Sequence, residues 1–501
     1  MIQPAFADFA ARYDAGAPQL VWTRRIADTE TPVSAMLKLG GSGSGAFILE
    51  SVEGGSVRGR YSLLGFAPDL VFRVTGGKAE VNRRFAAAPG AFEAMAEAPL
   101  DALRRLVAET RMDMPKDLPP AFACFVGYLG YETVGLVEPV PSAAVDPLGL
   151  PDMLFVRPSL ILVFDRLKDE LFIAAPVYAA GGNARAAYAA AAERIETAEA
   201  RLAGPLPAER AECPADFGGM THHTEPARYA AMVDRAKDYI VAGDIFQVVL
   251  AQRFSTPFAL PPLSLYRSLR RINPSPFLYM LDLPGFALIG SSPEILVRVR
   301  GGEVTVRPIA GTRPRGANAL EDAANRDSLL ADPKELAEHL MLLDLGRNDV
   351  GRVAAEGSVS VTERNSVEFY SHVMHIVSNV RGDLAAGKDA IDAMMAGFPA
   401  GTVSGAPKVR AMQIIAELEA EKRGAYAGGV GYFSPDGSMD SCIVLRTAIV
   451  KDGVMHIQAG AGIVADSTAA YEQRECEAKA GALVAAAKDA IARAREPGFG
   501  Q

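Results

Sequence analysis

The sequence predicts an α/β protein of the α+β kind in which antiparallel strands dominate, and three observations carry that reading. Short apolar runs alternate with turn residues, as in LVFRVTGGKAEVNRR around Gly76-Gly77 and PSLILVFDRLKDELFIAAPVY around Lys168-Asp169, the pattern of strands joined in hairpins. Helical stretches at Leu100 to Arg111 and Ala184 to Leu202 are interleaved with them, but antiparallel pairs prevail, which disfavours a doubly wound Rossmann sheet. Apolar residues make up 49% and charged residues 22% of 501 positions, ordinary globular usage with enough chain for a sizeable core.

From the N-terminus, MIQPAFADFAARYD reads as a short amphipathic helix, without the basic start and apolar run of a secretory signal. GGSGSG at Gly40 to Gly45 lacks the GxxxxGK[ST] spacing of a phosphate loop and reads as a flexible turn. At Gly204 to Gly219 Pro, Gly and charge replace apolar periodicity, so the chain divides into an N-terminal domain of residues 1–203, a linker of 204–224 and a domain of 225–501. A helix from Pro226 to Val241 then leads into FQVVLAQRF, and hairpins follow at Phe286 to Arg307, turning at Gly301-Gly302. Two late helices are expected at Pro333 to Leu345, with Leu336, Leu340 and Leu343 as its packing stripe, and at Thr468 to Arg495.

Composition also excludes classes of function. The formal net charge is −9, so no basic excess exists to neutralise phosphates, and nucleic acid is not an expected partner. The longest apolar runs, such as Leu160 to Phe164, fall far short of the ~20 residues that span a bilayer, so no membrane is expected and the protein is placed in the cytoplasm. Cys124, Cys213, Cys442 and Cys476 are widely separated, form no CxxC pair and are expected as reduced thiols.

The chemistry-bearing residues are mostly carboxylates. Glu335 and Glu338 lie three apart on one expected helix, and Glu472 and Glu475 repeat the spacing on the other, with Lys479 one turn beyond. Clustered carboxylates with few His and no nearby Cys suit a hard divalent cation such as Mg²⁺, and support zinc poorly. GTVSGAPK (Gly401 to Lys408) precedes an expected helix at Val409 to Glu417, where backbone N–H groups can receive an anion. QAGAGIV (Gln458 to Val464) is expected after a strand, its glycines permitting close approach of a ligand. His375, in HVMHIVSNV, is either a hydrogen-bonded core residue or an acid/base, whereas His222-His223 reads as an exposed pair without a role. Together these features allow a magnesium-dependent enzyme acting on a small polyanion.

Laid end to end, the segments ILESVEGG, GDIFQVVLAQRF, NPSPF, GSSPEIL, RPIAGTRPRG, ELAEHLMLLDLGRNDVGR, HVMHIVS, FPAGTVSGAPK, GAYAGGVGYF, DSCIVLRT, QAGAGIVADS and YEQRECEAK resemble the chorismate-utilising enzymes, most closely the anthranilate synthase large-subunit family. The resemblance implies large, mainly antiparallel sheets packed as a sandwich with helices outside, and an active site in the C-terminal two-thirds. It implies that Glu338 and Glu475 ligate Mg²⁺, with Glu335 and Glu472 as further carboxylates beside it. It implies substrate contacts from Gly311, Thr312, Glu335, Tyr426, Arg446, Gly460, Ala461, Gly462 and Lys479, with Thr402 beside them. Glu294 matches the general acid that protonates the departing C4 hydroxyl, and His375 the histidine that assists pyruvate loss. Isochorismate-forming relatives carry lysine where this sequence has Gln247, which cannot activate water, and aminodeoxychorismate-forming relatives carry a nucleophilic lysine where it has Ala310. The expected reaction is therefore chorismate plus ammonia to anthranilate and pyruvate, the first committed step of tryptophan biosynthesis. The alternatives are aminodeoxychorismate formation and a silent, tryptophan-binding regulatory subunit. Leu49, Glu50, Ser51, Asn273, Pro274, Ser275, Pro276, Phe277 and Cys442 match the family's tryptophan feedback site, placed with the N-terminal domain, and Phe277 replaces the tyrosine often found there. A separate glutamine amidotransferase subunit, in a hetero-oligomer, is the expected ammonia source.

Overall fold

Two long strands, Tyr61–Thr75 and Met153–Asp165, organise the molecule. In the computed structural model, which describes residues 1–496 except 42, 54–56, 120–121, 123–124, 179–180, 208–215 and 371–372, they pair antiparallel from Tyr61 opposite Asp165 to Val74 opposite Met153. The register shifts between Pro68 and Leu70, where Ala67 takes a φ of 47°. An irregularity of this kind bends a ribbon, and the two ends here join different sheets.

One sheet runs from Gln19–Ile26 through Glu170–Val177, the first end of the long pair, Ala46–Glu50, Phe277–Leu283, Phe286–Ser292, Thr447–Lys451 and Val454–Ile463 to Gln247–Pro257. The other runs from Lys78–Asn82 through the opposite end of the pair, Phe125–Leu129, Gly429–Phe433, Met439–Ile443, Ile295–Arg300 and Glu303–Val306 to Val373–Asp383, which also carries Ile309–Pro314 and Ser360–Phe369. Every ladder between described strands is antiparallel, as expected. Strands on the two sides of the 204–224 segment are direct neighbours, Ala46–Glu50 with Phe277–Leu283 and Phe125–Leu129 with Gly429–Phe433.

Alternation along the strands builds the core. Tyr279, Leu281 and Leu283 enter a cluster with Phe47 and Leu288 of their own sheet and with Tyr128, Leu154 and Val430 of the other. Leu278 and Met280 face the opposite way, into a cluster shared with Leu265 and Leu269 of helix Pro262–Ile272 and Leu483 and Ala487 of helix Ala469–Ala494. The two sheets thus pack on each other with helices outside, the expected sandwich.

Helices Phe6–Asp14, Pro99–Glu109, Ala184–Leu202 and Pro226–Val241, and the hairpins at Gly76-Gly77, Lys168-Asp169 and Gly301-Gly302, stand where the sequence places them. The Gly40 to Gly45 turn is pinned rather than loose at Gly43, whose N–H donates to the Asp282 carboxylate at 2.8 Å. No helix of the described residues is long and apolar enough to cross a membrane. Cys442 and Cys476 are free, buried thiols, while Cys124 and Cys213 lie outside the described residues, as do positions 208–215 of the linker.

Leu281 is fully enclosed between the sheets. Leu281→Ala is expected to lower the unfolding free energy by about 2–5 kcal/mol in urea denaturation, and a loss below about 1 kcal/mol would mean that the sheets collapse into the space.

Candidate active site

A cavity of about 1190 Å³ opens where helices Pro333–Gly351 and Ala469–Ala494 approach the ends of both sheets. Gln247, Glu294, Gly311, Thr312, Glu335, Glu338, His375, Thr402, Tyr426, Arg446, Gly460, Gly462, Glu472, Glu475 and Lys479 all line it, so residues scattered over more than two hundred positions meet in one place. Ala461 does not. It lies between two inward-facing glycines on strand Val454–Ile463 and points to the core on the other face, fully buried.

Asp332 caps helix Pro333–Gly351, its carboxylate accepting from the Lys334 N–H at 3.0 Å and the Glu335 N–H at 3.4 Å. Arg313, from strand Ile309–Pro314, grips the same end, donating to Asp332 at 2.7 Å and to Glu335 at 3.0 Å. Glu338 is one turn further on and receives only a long contact, 3.4 Å, from the Gln247 amide. Burial, then the charges of Glu335 and Glu475, push its pKa up. Opposite it, Glu472 is also pushed up, by burial and by Glu475. Lys479 reaches back one turn to Glu475 at 2.7 Å and donates to the Gly460 carbonyl at 2.8 Å.

The four carboxylates face one cavity, yet among the described residues no three acidic, His or Cys groups are gathered closely enough to cage a metal. The donor set fits Mg²⁺ nonetheless, because that ion is commonly held through one or two carboxylates, with waters and substrate oxygens filling its shell.

On the far wall Glu294 is almost wholly buried. Burial pushes its pKa up to about 8, against the opposing pull of the Thr402 hydroxyl, which donates to it at 3.0 Å, the Ile309 N–H and the positive charge of Arg446. Arg446 has a φ of 48°, its guanidinium makes no ion pair or hydrogen bond among the described residues, and the nearby acidic groups acting on it are Tyr370 and Glu294. His375 donates from Nδ1 to the Gly311 carbonyl at 3.0 Å and has Thr312 Oγ1 at 3.1 Å. Its neutral ring therefore carries the proton on Nδ1 and leaves Nε2 as the basic nitrogen, and burial pushes its pKa down.

The glycine segments behave differently from expectation. QAGAGIV lies within strand Val454–Ile463 rather than after it, and protein side chains fill the space its glycines leave. A Cβ at Gly462 would sit 2.5 Å from Gln247 Nε2, and one at Gly460 would sit 2.7 Å from the Tyr426 hydroxyl. In GTVSGAPK, Gly401–Ser404 forms a helical turn of its own before helix Lys408–Leu418, and the Lys408 ammonium is taken up by Asp349 at 2.9 Å. The expected packing stripe of helix Pro333–Gly351 holds at Leu343, buried in the core, and at Leu336, packed against Leu329, Met374 and Ile376, and fails at Leu340. Leu340 is 46% exposed, and His339, Leu343, Gly346 and Val350 form the buried face, because the helix turns Glu335, Glu338 and Leu342 into the cavity. His222 rests edge-on against Phe254, and His223 bonds Ser255 at 2.8 Å, remote from the site.

The residues matched to a feedback site also meet. Leu49 and Glu50 lie beside Tyr279 and Leu278, just beyond Phe277, and the Val52 N–H donates to the Ser275 carbonyl at 3.1 Å next to Ser51. Glu50 is gripped by Arg270 at 2.9 Å, by Arg166 and by the Tyr266 hydroxyl at 2.6 Å. Ser275 donates to the Ser292 carbonyl at 2.9 Å, and Cys442 is buried beside Ser292. Asn273, Pro274 and Ser275 line the large cavity as well, whereas Leu49, Glu50, Ser51, Pro276, Phe277 and Cys442 do not.

Sequence reasoning missed Arg313, Lys334 and Tyr370. Arg313 sits in RPIAGTRPRG, and a cation beside an expected carboxylate pair was the available signal. Tyr370 stands edge-on to His375 with ring centroids 5.4 Å apart, and only the fold brings the two together.

Comparison with known proteins agrees with this geometry. The family model for chorismate binding enzymes matches residues 56–485. The chain is 54% identical to anthranilate synthase component 1 of Cereibacter sphaeroides over 99% of its own length and all of that protein's, and 48% identical to the Thermus thermophilus protein of the same name over 93% and 97%. The crystal structure of anthranilate synthase component I from Streptococcus pneumoniae superposes with a TM-score of 0.77 at 36% identity, covering 92% of this chain and 98% of that one. The isochorismate synthase MenF of Escherichia coli, 19% identical with a TM-score of 0.70 over 96% and 99% of the two chains, shares the fold. The chain belongs to the chorismate binding enzymes and, within them, to the anthranilate synthase component 1 family.

Proposed function

We propose that the cavity converts chorismate and ammonia to anthranilate and pyruvate with the help of Mg²⁺. The observation that carries the proposal is a buried carboxyl group, Glu294, with its pKa raised to about 8, on the same cavity wall as an unpaired guanidinium and opposite four carboxylates. Glu338 and Glu475, with Glu472 beside them, would hold Mg²⁺, which when bound would supply a positive anchor for the ring carboxylate. Arg446 pairs with the enolpyruvyl carboxylate, for which a guanidinium fork offers two parallel donors. Ammonia forms the bond to C2, the ring double bonds shift, and the C4–O bond breaks as Glu294 gives its proton to the departing hydroxyl, releasing water; the proton that the new C2 ammonium sheds balances the one Glu294 has given. In the second half-reaction the bond from ring C3 to the enolpyruvyl oxygen breaks, the hydrogen on C2 leaves as a proton so that the ring becomes aromatic, and the enolpyruvyl methylene gains a proton to give pyruvate, with Nε2 of His375 placed to move that proton. Ala310 supplies no nucleophile and Gln247 no base, which leaves ammonia as the attacking species.

Glutamine-dependent activity is proposed to need a separate amidotransferase subunit, a pairing that the designation component 1 of the relatives supports. Tryptophan is proposed to act at the junction of Leu49 to Ser51 with Asn273 to Phe277. Because Asn273, Pro274 and Ser275 border both this junction and the catalytic cavity, an inhibitor seated there changes the affinity for chorismate through shared residues. A cytoplasmic setting fits the free thiols of Cys442 and Cys476.

With ammonia, Mg²⁺ and chorismate, the purified chain is expected to form anthranilate and pyruvate, and a non-aromatic aminated product would overturn the reading. Glu294→Gln should lower kcat by roughly 10²–10⁴-fold, the ordinary contribution of a positioned acid. At constant free ammonia, kcat/KM for chorismate should hold below and fall through a pH of about 8, since the acid works only while protonated. Glu338→Ala and Glu475→Ala should each weaken Mg²⁺ binding in calorimetry by roughly tenfold or more, and unchanged binding would place the metal elsewhere. Tryptophan at a hundred times its dissociation constant should stabilise the fold by about 2.7 kcal/mol, and an unmoved melting temperature would remove the feedback site.

A further inference from the structure

We propose that Arg423, which does not line the cavity, is a positioning residue of the site: its enclosed guanidinium fixes Thr402, and through Thr402 the acid Glu294. The inference rests on the reading of Glu294 as that acid. Arg423 is 2% exposed. Its Nη1 donates to the Val403 carbonyl at 2.7 Å and its Nη2 to the Val249 carbonyl at 2.7 Å, while Nε and Nη2 engage both oxygens of Glu419, the former at 2.8 Å. Glu419 in turn accepts from the Ala251 N–H at 2.8 Å, and the guanidinium lies over the rings of Tyr131 and Tyr426, 4.8 and 5.5 Å from their centroids.

Val249, Thr402, Val403 and Tyr426 all face the cavity, so one planar cation ties together three of its walls. The turn Gly401–Ser404 is only four residues long, too short to satisfy its own carbonyls by a helical ladder. Arg423 is the donor that meets the Val403 carbonyl, one residue beyond the hydroxyl that bonds Glu294 at 3.0 Å. Donors fixed in a flat fork can serve two carbonyls and a carboxylate at once, and a lysine ammonium in the same space cannot.

The groups facing Glu294 are the Thr402 hydroxyl, the Ile309 N–H, the Arg446 guanidinium and the Tyr370 phenol. The Thr402 bond favours the charged carboxylate, so its loss raises the pKa of the acid and moves the alkaline limb of kcat/KM to higher pH. Arg423→Lys, checked for folding by circular dichroism, is expected to lower kcat by roughly ten- to a hundredfold, the scale of a small misplacement. The KM for chorismate should change less than kcat does, by about threefold or less, because Arg446 and the carboxylates Glu338 and Glu475 are not among the partners of Arg423. Its alkaline limb should move up with that of Thr402→Val, and the double variant should add little to Thr402→Val alone. A folded Arg423→Lys with an unshifted limb, or effects that add fully, overturns the proposal. Should Arg423→Lys fail to fold, Glu419→Gln loosens the same fork and is read in the same way, an unshifted limb again overturning it. Glu294→Gln separates the two inferences. Full activity there removes the acid and the proposal with it, whereas an inactive Glu294→Gln beside an unshifted Arg423→Lys removes Arg423 alone.

Discussion

Four carboxylates turned into one cavity repel one another, and much of the surrounding structure exists to keep them there. Glu335 is answered by Arg313, and Glu475 by Lys479. Glu338 has no ion pair among the described residues, only the long Gln247 contact, and the charges of Glu335 and Glu475 both act on it. A helix alone does not hold such a pair, since neighbouring like charges three residues apart weaken it. Asp332 offsets this at the N-terminus of helix Pro333–Gly351, and core packing of His339, Leu343 and Val350 anchors the opposite face.

The acid on the far wall is held by the reverse device. Glu294 is kept protonated by withdrawal from water rather than by a neighbouring anion, and Arg446 and Thr402 limit how far its pKa rises. The same cavity therefore treats its carboxyls differently, through unequal burial and unequal counter-charge: Glu294 has no ion pair among the described residues, whereas Glu335 and Glu475 are each paired with a cation.

Much of this was legible in the sequence. Hairpin turns and apolar alternation gave the antiparallel sheets, and the two ExxE pairs pointed to the facing helices because helical spacing depends only on local geometry. What the sequence did not reveal depends on contacts between distant segments. The break in the stripe at Leu340 follows from which face meets the cavity, and the core-facing Ala461 follows from strand phase once Gly460 and Gly462 are turned inward. Arg423 and Tyr370 draw their meaning from partners on other elements, and no periodicity in one dimension marks them.

The pairing of Ala46–Glu50 with Phe277–Leu283, and of Phe125–Leu129 with Gly429–Phe433, has a consequence during synthesis. On the ribosome the first two hundred residues emerge long before their partners, exposing two apolar strand edges to any other nascent chain. Shielding those edges until residue 433 has left the exit tunnel falls to chaperones, and a burst of expression that outruns them should produce aggregates rather than half-folded enzyme.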